Sequence, residues 1–229
     1  MRTTSTLVKS LAVFSALLPF CTSGLAQQAA IVYENATTDL NRTYGPNGVE
    51  FGDEITLAGS NRTVTEFQFE YFLSGNANGN ETVQLRFYAN DGATINRPLT
   101  DGTTIQSKGP GTLLYTSPVL SLQTGFNYAD ASGFSINVPS DFTWAVTFNG
   151  IDSGEIAGLR VYDPPTVGSS FGDFWQKNSG TWNTYIFSDP AGPANFAARV
   201  TAVPEPTTVA YALLAGLSFL GYCGMKRRS

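Results

Sequence analysis

Apolar and polar residues alternate one by one along several short segments in the middle of the chain. This period of two is typical of half-buried β-strands. Turn-forming clusters rich in Gly, Asn, Asp and Pro separate the segments, for example at 74–80 and 163–165. The pattern predicts an all-β fold, a single jelly-roll-like antiparallel β-sandwich with its first and last strands close together. The clearest runs have the apolar residues Phe67, Phe69 and Tyr71; Val83, Leu85 and Phe87; and Phe142, Trp144, Val146 and Phe148.

The residue types that the chain lacks exclude several kinds of chemistry. It has no histidine and two cysteines, Cys21 and Cys223. A Ser-His-Asp or Cys-His nucleophile system cannot be built without histidine, and neither can a histidine-containing zinc site. Both cysteines lie near the ends, so the middle of the chain must be stable without a disulfide.

The charge of the middle of the chain is more negative than the overall −5. Seventeen of the eighteen acidic residues but only eight of the thirteen basic ones lie in residues 27–202, which gives this body a formal charge of −9. Such a surface repels phosphate groups and anionic lipids. The sequence therefore predicts no nucleic-acid partner.

Residues 1–26 have the order of features that is typical of a secretory signal peptide. Arg2 and Lys9 supply positive charges, an apolar core follows, and small residues precede the expected cleavage site. We expect cleavage between Ala26 and Gln27.

The C-terminal end combines a short motif, an apolar run and a basic cluster. The uncharged run 207–225 has 19 residues, and a helix of that length spans about 30 Å, the thickness of a bilayer's hydrocarbon core. The positive-inside rule places the basic cluster in the cytoplasm. A plain single-span anchor would have the same features. The motif is Val203, Pro204, Glu205 and Pro206, and the basic cluster is Lys226, Arg227 and Arg228.

This C-terminal order resembles the PEP-CTERM sorting signal of exported proteins in Gram-negative bacteria. In that family an exosortase, a membrane-embedded cysteine protease, recognises the Pro-Glu-Pro element and removes the tail. The resemblance assigns residues 203–206 to the motif, 207–225 to a transmembrane helix and 226–229 to the basic tail. It implies export through the inner membrane, transient anchoring by the helix, and a final location at the cell surface or outside the cell.

The body, 27–202, is predicted to form one domain between these two ends. It resembles uncharacterised proteins that carry the same type of tail, most clearly at Val83–Gly92 and Tyr162–Phe174. That resemblance implies no known activity.

No catalytic set is predicted in the body. Glu66 and Glu70 share one strand face but lie about 13 Å apart at the usual rise, and the neighbours Asp53 and Glu54 should point to opposite faces. A glycosidase pair needs a separation of roughly 5 to 10 Å. A carboxylate-dependent polysaccharide hydrolase or lyase remains an alternative that needs two carboxylates in one cleft.

Two loops rich in Asn and Asp are candidates for calcium ligands, Asn76–Glu81 and Asp152–Glu155. Neither follows a known calcium-loop pattern, and the turn preferences of Asn, Asp and Gly explain both. No metal site and no cofactor are predicted.

An aromatic cluster around the turn 176–180 is the one feature that suggests a ligand. Trp175, Trp182 and Tyr185 could form a platform on which sugar rings stack, or they could be core residues of a hairpin. The sequence therefore predicts a non-enzymatic surface or extracellular-matrix protein, with exopolysaccharide and biofilm association implied by the resemblance of the tail. The alternative is a carbohydrate-binding module that uses Trp175 and Trp182.

Overall fold

The computed structural model describes residues 28–75, 77–99, 101–188 and 191–205. Every regular element in these ranges is a β-strand, and the paired strands run antiparallel, which confirms the all-β antiparallel prediction. The strands are β1 (Ala30–Asn35), β2 (Asp39–Tyr44), β3 (Glu50–Thr56), β4 (Thr63–Ser74), β5 (Thr82–Ala89), β6 (Thr94–Pro98), β7 (Thr104–Lys108), β8 (Leu113–Thr116), β9 (Leu120–Ser121), β10 (Gly125–Asn137), β11 (Asp141–Asn149), β12 (Ile156–Tyr162), β13 (Ser169–Ser170), β14 (Phe174–Asn178), β15 (Thr181–Tyr185), β16 (Phe187–Ser188), β17 (Ala191–Gly192) and β18 (Ala198–Val203).

Sheet 1 is built around the long strand β4. Strand β10 pairs with one edge of β4, while β18 and β12 pair with successive parts of its other edge. Strand β1 lies outside β18, and β2 lies outside β12. The pairing of β1 with β18 confirms that the first and last strands of the body are neighbours.

Sheet 2 has the strand order β15-β14-β3-β11-β5-β8, with the short strands β13 and β9 paired to β3 and β5. Strands β6 and β7 form a separate hairpin. This hairpin lies across the outer face of sheet 2, where it contacts β14 through Gly109, just after β7. A Cβ atom on that glycine would come within 3.0 Å of the Trp175 indole.

The core lies between the two sheets, and it follows from the alternation in the sequence. Phe67 and Phe69 of β4 face Trp144 of β11, with ring centroids 5.1 and 5.9 Å apart. One continuous cluster of buried apolar residues joins both sheets, so the fold is sandwich-like.

The outer face of sheet 2 departs from the simple alternation. Strict alternation in β11 would turn Thr143 and Ala145 to the water, yet both are fully buried. The register places Thr143 beside Glu54 of β3. The hairpin β6–β7 covers this part of the face, because its Arg97 binds the Glu54 carboxylate.

Candidate functional site

The three aromatic residues of the predicted glycan platform do not share one surface. Trp175 is fully buried, and its Nε1 donates a hydrogen bond of 3.3 Å to Glu54 Oε2. Trp182 is half-buried on the same face of the β14–β15 hairpin. Tyr185 lies on the opposite face, where its ring stacks on Phe174 with centroids 5.7 Å apart. A sugar ring cannot stack on Trp175 in this structure, because the indole has no exposed face.

A shallow cleft remains beside Trp182, between the base of hairpin β6–β7 and the turn of hairpin β14–β15. Its volume is about 260 Å³, and Ile95, Pro110 and Trp182 are among the residues that line it. Trp182 meets Tyr88 edge to face, with centroids 5.4 Å apart, and Lys177 Nζ lies 5.3 Å from the Trp182 ring centre. Pockets that enclose a small molecule usually exceed about 300 Å³. The cleft is therefore shallow, and the only indole among the described residues that line it, that of Trp182, is partly covered by its neighbours.

The structure contains a buried ionic cluster that the sequence did not indicate. Arg97 of β6 is fully buried. Its Nε and Nη2 donate to the two oxygens of Asp173 at 2.6 and 2.7 Å, and its Nη1 donates to Glu54 Oε2 at 2.6 Å. The ring centre of Phe171 lies 4.0 Å from the guanidinium carbon. The cluster fastens the hairpin β6–β7 and the segment before β14 onto sheet 2.

Burial dominates the electrostatics of this cluster. It raises the pKa values of Glu54 and Asp173, although the charge of Arg97 opposes the rise at both carboxyls. Burial alone would lower the pKa of Arg97, but the hydrogen bonds and charges of the two carboxylates outweigh it and raise that pKa. The two carboxylates converge on a guanidinium rather than on an open cleft. Their geometry is that of a structural clamp and not that of a glycosidase pair.

Asp53 and Glu54 lie on opposite faces of β3, as the sequence predicted, and the structure shows that Asp53 is the one that points into the core. Its carboxylate accepts hydrogen bonds from Ser170 Oγ at 2.9 Å and from the Phe196 backbone N–H at 3.3 Å. Burial raises the pKa of Asp53 well above its usual value of 3.8, and the Ser170 hydrogen bond only partly opposes this. The side chain is fully buried, so it is held away from solvent and from any cleft.

Replacing Asp53 by Asn is expected to increase stability progressively as the pH rises. A carboxyl whose pKa is raised in the folded state stabilises the protein below its unfolded pKa of about 3.8, and this contribution is lost as the pH rises through the folded pKa. Asn keeps an acceptor for the Phe196 N–H and a partner for Ser170 without the charge. We expect a gain above about 0.5 kcal/mol near neutral pH, beyond the scatter of surface substitutions.

Urea unfolding at several pH values measures this effect. The matched control is Asp101→Asn in an exposed turn. Hydrogen bonds from Thr103 lower the pKa of Asp101, so this substitution should have the opposite pH trend. Parallel trends for the two variants would contradict the assignment of a raised pKa to Asp53.

The two Asn- and Asp-rich loops lie side by side in the structure. Asn78 Nδ2 donates to Asp152 Oδ2 at 3.1 Å, which joins the loops. The two glutamates stabilise the turns in which they lie. The Glu81 carboxylate accepts hydrogen bonds from the backbone N–H groups of Asn78 and Gly79, and the Glu155 carboxylate accepts one from the backbone N–H of Asp152. Asn76 is outside the described residues. Within the described ranges, no group of three or more His, Cys, Asp or Glu residues is arranged to hold a metal ion.

The predicted sorting motif begins where the fold ends. Val203 is the last residue of β18, and Pro204 and Glu205 follow it half-buried. The other residues assigned to processing lie outside the described residues: Ala26 and Gln27, Pro206, the apolar run 207–225, and Lys226, Arg227 and Arg228. In the part of the chain that the structure describes, no helix is long and apolar enough to cross a membrane.

Comparison with known proteins finds no matching family model, no matching curated protein and no matching solved structure.

Proposed function

We propose that the chain is an exported, non-enzymatic surface or extracellular-matrix protein that is delivered through a PEP-CTERM-type sorting signal. An exosortase-type membrane protease is its processing partner, and exopolysaccharide is the matrix with which the body associates. The proposal includes a signal peptide at 1–26, one jelly-roll-like domain at 27–202 and a transient membrane helix at 207–225.

The observation that carries this proposal is the position of the motif relative to the fold. The last core strand, β18, ends at Val203, and the Pro-Glu-Pro element starts at the next residue. A protease that removes the tail at this element leaves β18 intact. Strand β1 begins at Ala30, which lies opposite Ala202 of β18 and only a few residues after the expected N-terminal cleavage site.

A binding role rather than a catalytic one is supported by the state of the buried carboxylates. Glu54 and Asp173 are both hydrogen-bonded to Arg97, and Asp53 is enclosed in the core. Among the described residues these are the acidic groups with raised pKa values, the property that a general acid needs. Each of these three carboxylates makes hydrogen bonds inside the fold, so none of them lies where a substrate could reach it.

The processing step is tested by the intact mass of the protein in a host that has the sorting protease. We expect the exported protein to begin at Gln27 and to lack the segment beyond about Pro206. Without the protease, the protein should stay in the membrane fraction with its tail. The double variant Pro204→Ala/Glu205→Ala should remain unprocessed, while the exposed body variant Glu66→Ala should be processed normally. Exported material that retains Lys226–Arg228 would refute the proposal.

A further inference from the structure

The outer face of sheet 1 carries exposed aromatic rings that the core does not use. Phe126 and Tyr128 of β10 are 59% and 57% exposed. The small residues Ala129 and Ala131 of the same strand are turned to the core instead. Contiguous exposed apolar surface rimmed by polar residues can mark an interaction site, and these two rings lie side by side on one face of β10.

The Phe126 ring is held in place by its neighbours. It packs on Phe72 of β4 with ring centroids 4.6 Å apart, and the guanidinium carbon of Arg160 lies 4.6 Å from its ring centre. Arg160 is fixed in turn by an ion pair with Asp39 and by a 3.1 Å hydrogen bond to Thr43 Oγ1. Because the ring is already ordered, a ligand that stacks on it loses little conformational entropy.

Next to these rings, the same face of β4 carries the polar side chains Glu70, Gln68 and Glu66. Glu70 lies opposite Tyr128 with only 8% of its surface exposed. Burial and the neighbouring Glu70 carboxylate raise the pKa of Tyr162. The Tyr128 hydroxyl is protonated at neutral pH, since its usual pKa is 10, and partial burial and the charge of Glu70 raise that pKa further. Gln68 follows two residues earlier on β4 and donates to Asp130 Oδ1 at 2.7 Å.

Two adjoining clefts extend this surface past Gln68. One is lined by Gln68, Glu70, Tyr128 and Arg199, and the other by Gln68, Arg199 and Glu66. The first has a volume of only about 10 Å³ and the second about 170 Å³, so neither can enclose a compact ligand. From Phe72 to Glu66 the strip is about 20 Å long at the usual strand rise. A shallow strip of this length suits a chain that lies across the sheet.

We propose that this strip, the outer face of sheet 1 from Phe126 and Phe72 to Glu66, binds a neutral polysaccharide chain. The C–H face of a sugar ring carries weakly positive hydrogens, which are attracted to the negative face of an aromatic ring. Sugar hydroxyls both donate and accept hydrogen bonds, so carboxylate, amide and guanidinium groups can all bind them. This inference rests on the proposed function and names the ligand class and the site.

The charge of the strip selects against other occupants. The charged residues on the strip, together with the ion-pair partners of its arginines, are five acids and two arginines, a net charge of −3. A polyanion or an anionic membrane would be repelled. A second copy of the chain bound about a two-fold axis would bring two such faces together, which is unfavourable. The residues counted are Glu34, Asp39, Glu66, Glu70 and Asp130, with Arg160 and Arg199.

The test is native affinity electrophoresis of the full-length protein in a polyoxyethylene detergent, which carries no sugar. The gels contain hydroxyethylcellulose, laminarin or galactomannan as neutral polymers, or alginate as the polyanion. We expect at least one neutral polymer to slow the protein and alginate not to. Phe126→Ala/Tyr128→Ala should weaken the binding about tenfold or more, as expected for removal of a central aromatic contact.

Two control variants separate ring stacking from general effects. Leu113→Ala/Val119→Ala removes apolar residues that are 51% and 59% exposed and lie outside sheet 1, and it should leave the retardation unchanged. Tyr128→Phe keeps the stacking ring and should retain most of the binding. A loss of binding in the Leu113/Val119 control equal to that in the Phe126/Tyr128 variant would overturn the assignment of the site.

Three further outcomes would overturn the proposal. The first is no retardation by any neutral polymer, and the second is retardation by alginate alone. The third is a wild-type protein that sediments as a dimer and a Phe126/Tyr128 variant that sediments as a monomer, with no polymer binding by either. The Phe126/Tyr128 variant should still be processed at the sorting motif. Normal processing without polymer binding refutes this inference alone, whereas polymer binding without processing refutes the proposed route of export.

Discussion

Replacing Arg97 by Ala is expected to lower the free energy of unfolding by about 3–5 kcal/mol, because it leaves Glu54 and Asp173 buried without a counter-charge. Three hydrogen bonds of 2.6–2.7 Å are lost in the same step. The hairpin β6–β7 also loses its ionic attachment to sheet 2. Urea unfolding of the variant and the wild-type protein measures the difference.

The matched control for this prediction is Arg199→Ala. Arg199 also pairs with a carboxylate, Glu34 at 2.8 Å, but its side chain is largely exposed. Exposed pairs contribute about 0–1 kcal/mol. Equal losses in the Arg97 and Arg199 variants would show that the buried cluster does not hold the hairpin.

A compensated variant tests the physical cause of the loss. In Arg97→Met/Glu54→Gln/Asp173→Asn the charges are removed together, so no buried charge is left unpaired. Replacing a whole buried ionic group by neutral residues is often tolerated, and we expect the triple variant to regain most of the stability lost in Arg97→Ala. A triple variant as unstable as Arg97→Ala would place the cause in lost packing.

The class of fold could be predicted because its cause is local. Alternation along β4 and β11 places Phe67 and Phe69 opposite Trp144, and the period of two is visible within a few residues of sequence. The opposite directions of Asp53 and Glu54 follow from the same rule. A pattern that repeats every two residues needs no knowledge of distant parts of the chain.

The ionic cluster could not be predicted, because its cause is not local. Arg97 lies 43 residues from Glu54 and 76 residues from Asp173 along the chain. Only the packing of hairpin β6–β7 on sheet 2 brings them together. The same hairpin decides the burial of Trp175, which sequence position alone left open between core and surface.

The aromatic strip on sheet 1 was missed for a different reason. Strand β10 turns Ala129 to the core and Phe126 and Tyr128 to the solvent, which reverses the usual arrangement of large and small apolar residues. A hydrophobic pattern assigns the larger apolar side chains to the core. Local patterns therefore give the wrong face where large apolar side chains lie on the outer surface of a sheet.

Replacing Trp175 by Ala is expected to cost about 3–5 kcal/mol of unfolding free energy, the range for truncating a buried tryptophan. The indole is fully buried, it donates to Glu54, and it fills the space against Gly109. Its loss leaves a cavity beneath hairpin β6–β7 and removes one hydrogen bond from the ionic cluster. Urea unfolding measures the cost, with Trp144→Ala as a second buried tryptophan that should lose a similar amount.

The variant Trp182→Ala, compared with Trp175→Ala, tests whether the β14–β15 hairpin binds sugar or only packs on sheet 2. Trp182 is only half-buried, so its replacement should cost clearly less than that of Trp175. The edge-to-face contact with Tyr88 contributes about 0.5–1.5 kcal/mol of that cost beyond the buried area. Polymer retardation measured on the same samples should persist in this variant. Loss of retardation at nearly unchanged stability would move the sugar site from sheet 1 to the cleft beside Trp182. Equal destabilisation by the Trp175 and Trp182 substitutions would contradict the burial on which the distinction between core and surface depends.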